Sequence, residues 1–247
     1  MPPIQIIPLA AIGEVKPGDD LARLLANAIA AEGLSLHTGD MLVVTQKIVS
    51  KAEGRFVLLD AIVPGSEALR LAAITRKDPR FVELVLSEST EVLRAVPNVL
   101  VVRHRLGLVM ANAGIDRSNI GPGDGDRALL LPVDPDASAE RLSRELGCAI
   151  VISDSFGRPW RMGVVAVAIG ASGLPALHDF RGETDRDGRR LEVTQVAVAD
   201  LLASAAALAT GEGAEGIPAA LVRGYSSGAQ ARGAHALVRP IEEDLFR

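Results

Sequence analysis

The chain has 247 residues and a formal charge of -5, with 48 % hydrophobic and 3 % aromatic residues. An acidic chain repels a phosphate backbone, and few rings are available to stack on bases. These numbers therefore exclude general nucleic-acid binding, although a single nucleotide site needs only a few cations. No run approaches the roughly 20 apolar residues of a membrane span, and the N-terminus lacks a secretory signal pattern. We expect a cytoplasmic protein without nucleic-acid or membrane partners.

The predicted secondary structure mixes helices and strands without strict alternation. Helical spacing of apolar residues predicts helices over 21–33, 67–77, 81–96, 137–147 and 193–210. Short apolar runs predict strands over 41–44, 99–102, 108–111, 149–152, 163–169 and 219–222. The first of these strands is expected to continue through Lys51, although several residues in 45–51 are polar. These elements favour an α+β fold with mixed or antiparallel sheets and packed helices.

The familiar phosphate-binding motifs are missing or out of context. The chain contains no G-x-x-x-x-G-K-[ST] motif, which excludes a P-loop. Residues 211–216 match G-x-G-x-x-G, but they follow a predicted helix and precede a strand, the reverse of the order in a Rossmann fold. A glycine-rich helix stop explains these glycines as well, and that alternative stays open. We expect a fold that is neither P-loop nor Rossmann.

Carboxylate and hydroxyl side chains in glycine-rich segments suggest a site for a hard divalent cation. The buried run at 149–152 is predicted to deliver Asp154 and Ser155 into a loop, a common way to hold a metal ion against phosphate. Asp116 lies in the glycine-rich segment 114–125, and Glu212 lies in 211–216. Taken singly, each is more often a turn cap or a surface acid. Together they favour Mg²⁺ or Mn²⁺.

Other candidate groups carry less information. The four histidines are scattered and Cys148 is the single cysteine, so a zinc site is not expected. Arg158 and Arg161 follow the Asp154 segment and are suited to clamping a phosphate or carboxylate. Surface ion pairing explains the two arginines equally well.

Taken together, several segments resemble the coenzyme F420-0:L-glutamate ligase family, which adds glutamate to the precursor of the deazaflavin coenzyme F420. The resemblance extends nearly from end to end. It is carried by the segments 15–21, 49–55, 112–116 with 118–119, 154–158, 168–173, 182–192, and 211–213 with 216–218.

The resemblance implies a family-specific ligase fold, a homodimer, and a site for GTP and two divalent metal ions, with room for K⁺. It implies one ligase domain over residues 1–247, which could form two intertwined subdomains, and no C-terminal nitroreductase-like domain. Asp116 and Asp154 would bind one metal, and Ser155 and Glu212 the second. Lys51 and Asp154 would be catalytic. The implied nucleotide contacts are Ile12, Gly13, Glu14, Val15, Gln46, Lys51, Asn119, Thr210, Gly211, Glu212, Gly213, Ala214, Glu215, Gly216 and Ile217.

The implied reaction joins L-glutamate to coenzyme F420-0 through an acyl phosphate made from GTP, and could add further γ-linked glutamates. Two metal ions and Lys51 would neutralise phosphate charge, so no protein nucleophile is required. Two alternatives stay open. The chain could ligate an amino acid to a different carboxylate acceptor, or it could be a nucleotide-binding dimer without catalysis.

Overall fold

The computed structural model describes residues 3–244, apart from residues 122, 124 and 227. Two residues of the predicted loop 114–125, Pro122 and Asp124, therefore lie outside the described part. The strands are β1 Gln5–Pro8, β2 Met41–Thr45, β3 Phe56–Leu58, β4 Ser89–Val96, β5 Val99–His104, β6 Val109–Ala111, β7 Arg127–Leu129, β8 Ala149–Arg158, β9 Arg161–Ser172, β10 Leu177–Asp179, β11 Gln195–Ala197 and β12 Ala219–Arg223. The α-helices are α1 Leu21–Ala31, α2 Gln46–Ala52, α3 Ser66–Thr75, α4 Pro79–Ser87, α5 Pro135–Leu146 and α6 Val198–Thr210.

The main sheet has the order β1-β12-β2-β8-β9. β2 and β8 are parallel, and the other neighbours are antiparallel. Side chains alternate across a strand, so β2 sends Leu42 and Val44 to one face and Met41 and Val43 to the other. The first face packs against α1 and α5, and the second against α6. The sheet is thus covered on both faces, which suits its continuous apolar runs.

A third hydrophobic cluster, besides the one on each face of the main sheet, forms around the antiparallel sheet β4-β5-β6. Helices α3 and α4 contribute Leu71, Phe81 and Val85 to this cluster, and β5 contributes Leu100 and Val102. The short pair β3–β7 continues from it and leads the chain back to α5. The predicted α+β class with mixed and antiparallel sheets is confirmed. Residues 211–216 connect α6 to β12, the reverse of a Rossmann turn.

Several predicted boundaries were wrong. The segment after β2 is not extended but forms α2, which buries Ile48 and Val49 against the sheet. The helix predicted over 81–96 ends at Ser87, because residues from Ser89 pair with β5 as β4. The helix predicted over 193–210 begins at Val198, after β11. Asp154 and Ser155 lie within a strand rather than in a loop, because β8 continues to Arg158.

Among the described residues, no helix combines the length and the apolar character that crossing a bilayer requires. Cys148 is buried, and burial raises the pKa of its thiol to about 11. This thiol is therefore largely protonated at neutral pH, as expected for a structural cysteine.

Candidate active site

A groove of about 710 Å³ lies where the two parallel strands stop being neighbours. β2 ends at Thr45, opposite Ser153, and the chain then turns into α2. β8 continues to Arg158, and among the described strands only β9 pairs with this extension. The side of β8 that β2 leaves open becomes one wall of the groove. Parts of the segments 13–15, 114–121 and 210–218 form the others.

Asp116 is held at this groove by its backbone and its side chain. Its N–H and C=O each form a 2.9 Å hydrogen bond with Leu129. Its carboxylate accepts a 2.7 Å hydrogen bond from Nε2 of Gln46 and lies 3.3 Å from Nζ of Lys47. Burial raises the pKa of the Asp116 carboxyl, and the contacts with Lys47 and Gln46 oppose that effect. The oxygens of Asp116 therefore stay in place close to a cation.

Ser50 fixes the orientation of Gln46. Its hydroxyl is fully buried and donates a 2.9 Å hydrogen bond to Oε1 of Gln46. The two residues are four apart on α2 and so lie on the same face of the helix. Because Oε1 accepts from Ser50, Nε2 is the group that points to Asp116.

Asp154 is the most strongly perturbed acid of the groove. Desolvation raises the pKa of its carboxyl to about 7, and the nearby Asp116 and Glu212 add to the shift. The Lys47 ammonium forms its ion pair with Asp116 rather than with Asp154. Acids with this combination of burial and like charge are frequent at functional sites.

Ser155 and Glu212 connect β8 to the loop that follows α6. The Ser155 hydroxyl lies 2.7 Å from each carboxylate oxygen of Glu212. Asp116, Asp154, Ser155 and Glu212 therefore place carboxylate and hydroxyl oxygens, the donor types that hard cations prefer, along one groove. Within the described part of the chain, however, no three acidic, histidine or cysteine side chains already converge as a metal cluster.

Lys51 is the buried cation of the groove. Its side chain is 6 % exposed, and its Nζ lies 2.6 Å from Oε1 of Glu14, whose side chain is 49 % exposed. The backbone of Gly121 passes so close that a Cβ there would lie 2.3 Å from the Glu14 oxygen. Glycine at position 121 therefore leaves room for the Glu14 carboxylate beside Lys51.

The glycine-rich loop after α6 is both a helix stop and a wall of the groove. Gly211 follows the last helical residue, Thr210, with a positive φ of 71° and an extended ψ of 176°, a combination that favours glycine. Farther along, the N–H of Gly213 donates to Glu215 at 2.8 Å, and its carbonyl accepts from Nδ2 of Asn119 at 3.2 Å. The loop is thus tied to the segment that carries Asp116.

The structure brings nearly all of the predicted site residues to this groove. Ile12 is the exception among the implied nucleotide contacts, since it is 5 % exposed and packs in the core below α1. Val15 is also buried in that core but reaches the groove. The candidate arginines Arg158 and Arg161 lie outside the lining of the groove as well.

Lys47 and Ser50 also contribute to the site through their contacts with Asp116 and Gln46, although neither was predicted. Their signal was the pair of i, i+4 relationships Gln46–Ser50 and Lys47–Lys51, which place two residues of each pair on one helix face. That signal was lost because the segment was predicted to be extended rather than helical.

Comparison with known proteins identifies the class. A family model described as F420-0:Gamma-glutamyl ligase matches residues 10–224. The chain is 45 % identical to the Coenzyme F420:L-glutamate ligase of Methanothermobacter thermautotrophicus over 99 % of both chains. It is 48 % identical to the protein of the same name from Natronomonas pharaonis, over 95 % of this chain and 91 % of the other.

These matches define a ligase. The chain belongs to the F420-0:gamma-glutamyl ligase family, which confirms the resemblance and the predicted enzyme class.

Proposed function

We propose that this protein joins L-glutamate to coenzyme F420-0 in a GTP-dependent reaction. The observation that carries the proposal is the groove itself, in which buried Lys51 shares one cavity with Asp116, Asp154 and Glu212. Its volume of about 710 Å³ falls within the range of sites for nucleotide-sized ligands. The names of the relatives, Coenzyme F420:L-glutamate ligase, support the two organic substrates.

The donor set fits two Mg²⁺ or Mn²⁺ ions. Carboxylate and hydroxyl oxygens are the ligands these ions prefer. The desolvated Asp154 lies beside two further carboxylates and, among the described residues, forms no ion pair with a lysine, so a divalent cation would stabilise it. We assign Asp116 and Asp154 to one ion and Ser155 and Glu212 to the other. Bound there, the ions would supply charge neutralisation for the nucleotide phosphates. The family resemblance also implies a K⁺ ion at this site, and we include that ion in the proposal.

In the proposed reaction, an oxygen of the acceptor carboxylate attacks the γ-phosphorus of GTP. The bond to the β-phosphate oxygen breaks, and GDP leaves. The glutamate amine then attacks the acyl carbon, losing a proton as the amide forms, and inorganic phosphate leaves. Lys51 would hold the transferring phosphoryl group by charge, and Asn119 and the loop 210–217 would position the nucleotide. No protein nucleophile takes part, so the catalytic effect is mainly positional and electrostatic.

The family resemblance also supports a homodimer with one domain per chain. Exposed apolar side chains on and near α6, namely Val193, Leu201 and Leu208, suit a buried subunit contact. Light scattering of the purified protein tests this, and a monomeric mass at micromolar concentration would contradict it.

The ligase proposal is tested by mass spectrometry of the products formed from F420-0, L-glutamate, GTP and Mn²⁺. We expect a series of GTP-dependent additions of the glutamate residue mass, absent without GTP and absent with the variant Asp154→Ala. The variant should retain the circular dichroism of the wild type, because Asp154 lies beside the groove and not in the core. If wild-type protein binds GTP yet adds no glutamate, a different acceptor or a non-catalytic nucleotide-binding dimer becomes the better interpretation.

A further inference from the structure

The hairpin β8–β9 ends in an exposed apolar tip. Its turn contains Pro159 and Trp160, and Trp160 is 81 % exposed, while Met162 is 96 % exposed. Phe156 and Gly157, which precede the turn on β8, line the groove. The tip therefore continues one wall of the groove.

The backbone of Trp160 adopts a conformation that is costly for a bulky residue. Its φ of 56° lies in the left-handed region, which bulky residues rarely adopt and which glycine or asparagine adopt at little cost. Strained conformations of this kind concentrate at functional sites. Glycine would adopt this conformation at a lower energetic cost than tryptophan. The presence of an indole here therefore points to a role of the ring itself, such as contact with a ligand.

The charge around the tip favours an anionic ligand. Arg158 closes the turn by donating a 2.7 Å hydrogen bond to the carbonyl of Met162. Arg161 is exposed, and in the described part of the chain it has no ion-pair partner. The tip thus combines a flat ring, a thioether and one uncommitted guanidinium. Such a set binds a flat aromatic molecule that also carries negative charge.

We propose that Trp160, Arg161 and Met162 form the subsite for the deazaflavin ring end of the acceptor. This inference rests on the proposed function, which supplies an acceptor that is aromatic at one end and carries the reacting carboxylate at the other. The strand from Asp154 to Arg158 spans roughly 13 Å at the usual rise per residue. The ring would therefore bind at the tip while the carboxylate reaches Asp154 and Lys51.

The chain offers a direct probe, because Trp160 is its single tryptophan. Tryptophan fluorescence therefore reports on the tip alone. Titration with F420-0, without GTP or glutamate, should quench this emission in a saturable way, because a ring stacked on the indole accepts its excitation. Titration with glutamate alone should leave the emission unchanged.

Kinetics give the second readout. We expect Trp160→Ala to raise the KM for F420-0 roughly tenfold, the scale of losing one aromatic stacking contact, and to leave the KM values for GTP and glutamate unchanged. Trp160→Phe should recover most of the loss, because it keeps a ring. Val63→Ala is the control, since Val63 is 87 % exposed and does not line the groove. It should behave as the wild type.

Failure of the inference and failure of the proposed function give different results. An active wild type with no quenching, and a Trp160→Ala variant with unchanged KM for F420-0, would overturn the subsite and leave the ligase intact. A wild type without turnover would overturn the proposed function, and the fluorescence titration would then decide the subsite alone. A smaller mass of Trp160→Ala in light scattering, with F420-0 binding unchanged, would show a subunit contact and overturn the subsite.

Discussion

Nζ of Lys51 lies 2.6 Å from Oε1 of Glu14, so the buried cation of the groove is already paired with a carboxylate of the same chain. A phosphate that binds Lys51 must displace that carboxylate or bind beside it. Because Glu14 is half exposed, it can move into solvent, whereas Lys51 cannot. Glu14 thus occupies the position beside Lys51 that the phosphate would take.

We therefore predict opposite effects from changes to the two partners. Glu14→Gln removes a competing negative charge and should tighten binding of GDP by about threefold to tenfold, on the scale of one partly exposed ion pair. Lys51→Met should weaken GDP binding at least about 100-fold, because a desolvated charge contact is lost. Isothermal titration calorimetry measures both. Equal weakening by both changes would instead show that Glu14 contacts the ligand.

Divalent cations should stabilise the protein through Asp154. Adding Mn²⁺ to metal-free wild type is expected to raise Tm, because a ligand that binds only the folded state stabilises it by mass action. Asp154→Asn should melt above the metal-free wild type, since it removes a desolvated charge near Asp116 and Glu212. It should gain little from Mn²⁺. Differential scanning calorimetry, with Glu140→Gln as a surface control, tests both statements, and an equal Mn²⁺ response in Asp154→Asn would contradict the metal assignment.

The pair Asp40–Arg223 should control acid stability. Asp40 is 2 % exposed, and Arg223 donates to both of its oxygens at 2.8 and 2.6 Å. Burial alone would raise the pKa of Asp40, but the bonds from Arg223 and the His37 backbone prevail and hold it below 3.8. A lowered native pKa contributes stability above the unfolded value, which is lost as the pH falls through the native value.

Arg223→Met leaves the Asp40 carboxylate buried and unpaired. We expect a loss of about 3–5 kcal/mol in unfolding free energy near neutral pH, and a smaller deficit near pH 4, where the variant's carboxyl is protonated. Urea unfolding at the two pH values measures this. The control Arg144→Met breaks an exposed pair with Glu140, so its effect should stay below about 1 kcal/mol. Similar losses in both variants would refute the role given to the buried pair.

Gly170 is required by close packing between β9 and α5. A Cβ at this position would lie 2.4 Å from the carbonyl oxygen of Pro135, which is backbone and cannot swing away. Gly170→Ala should therefore cost about 3 kcal/mol, as overpacked positions do. At Gly228 a Cβ meets nothing within 4 Å, so Gly228→Ala should be nearly neutral. Chemical denaturation of both variants checks the difference, and an unaffected Gly170→Ala would show that α5 can shift.

The sequence pattern predicted the start of a helix well where residues close to that start determine it. α1 and α5 begin near their predicted starts, because Asp20 and Asp134 cap them with side-chain hydrogen bonds. The error at 81–96 has a non-local cause. Residues of β4 fit helical spacing, yet pairing across the turn at Asn98, with φ 66°, makes a hairpin with β5.

The site was predictable in its residue types but not in its contacts. Carboxylates and glycines marked the segments around Asp116, Asp154 and Glu212. The hydrogen bonds Lys51–Glu14 and Ser155–Glu212 join residues 37 and 57 positions apart. A local sequence pattern cannot contain such pairs. They form only in the folded chain, where β8 extends beyond the end of β2 and the loop after α6 lies beside β8.

Asp116 and Asp154 approach the groove from segments rooted in different hydrophobic clusters. Ile115 packs with α3 and α4, whereas Ile152 packs under the main sheet with α1 and α5. A ligand held by both aspartates would therefore link the two clusters and oppose the opening of either one alone. We therefore expect saturation with ligand to slow hydrogen exchange of the most protected amides in both clusters by a similar factor. The two clusters would then open together rather than one at a time.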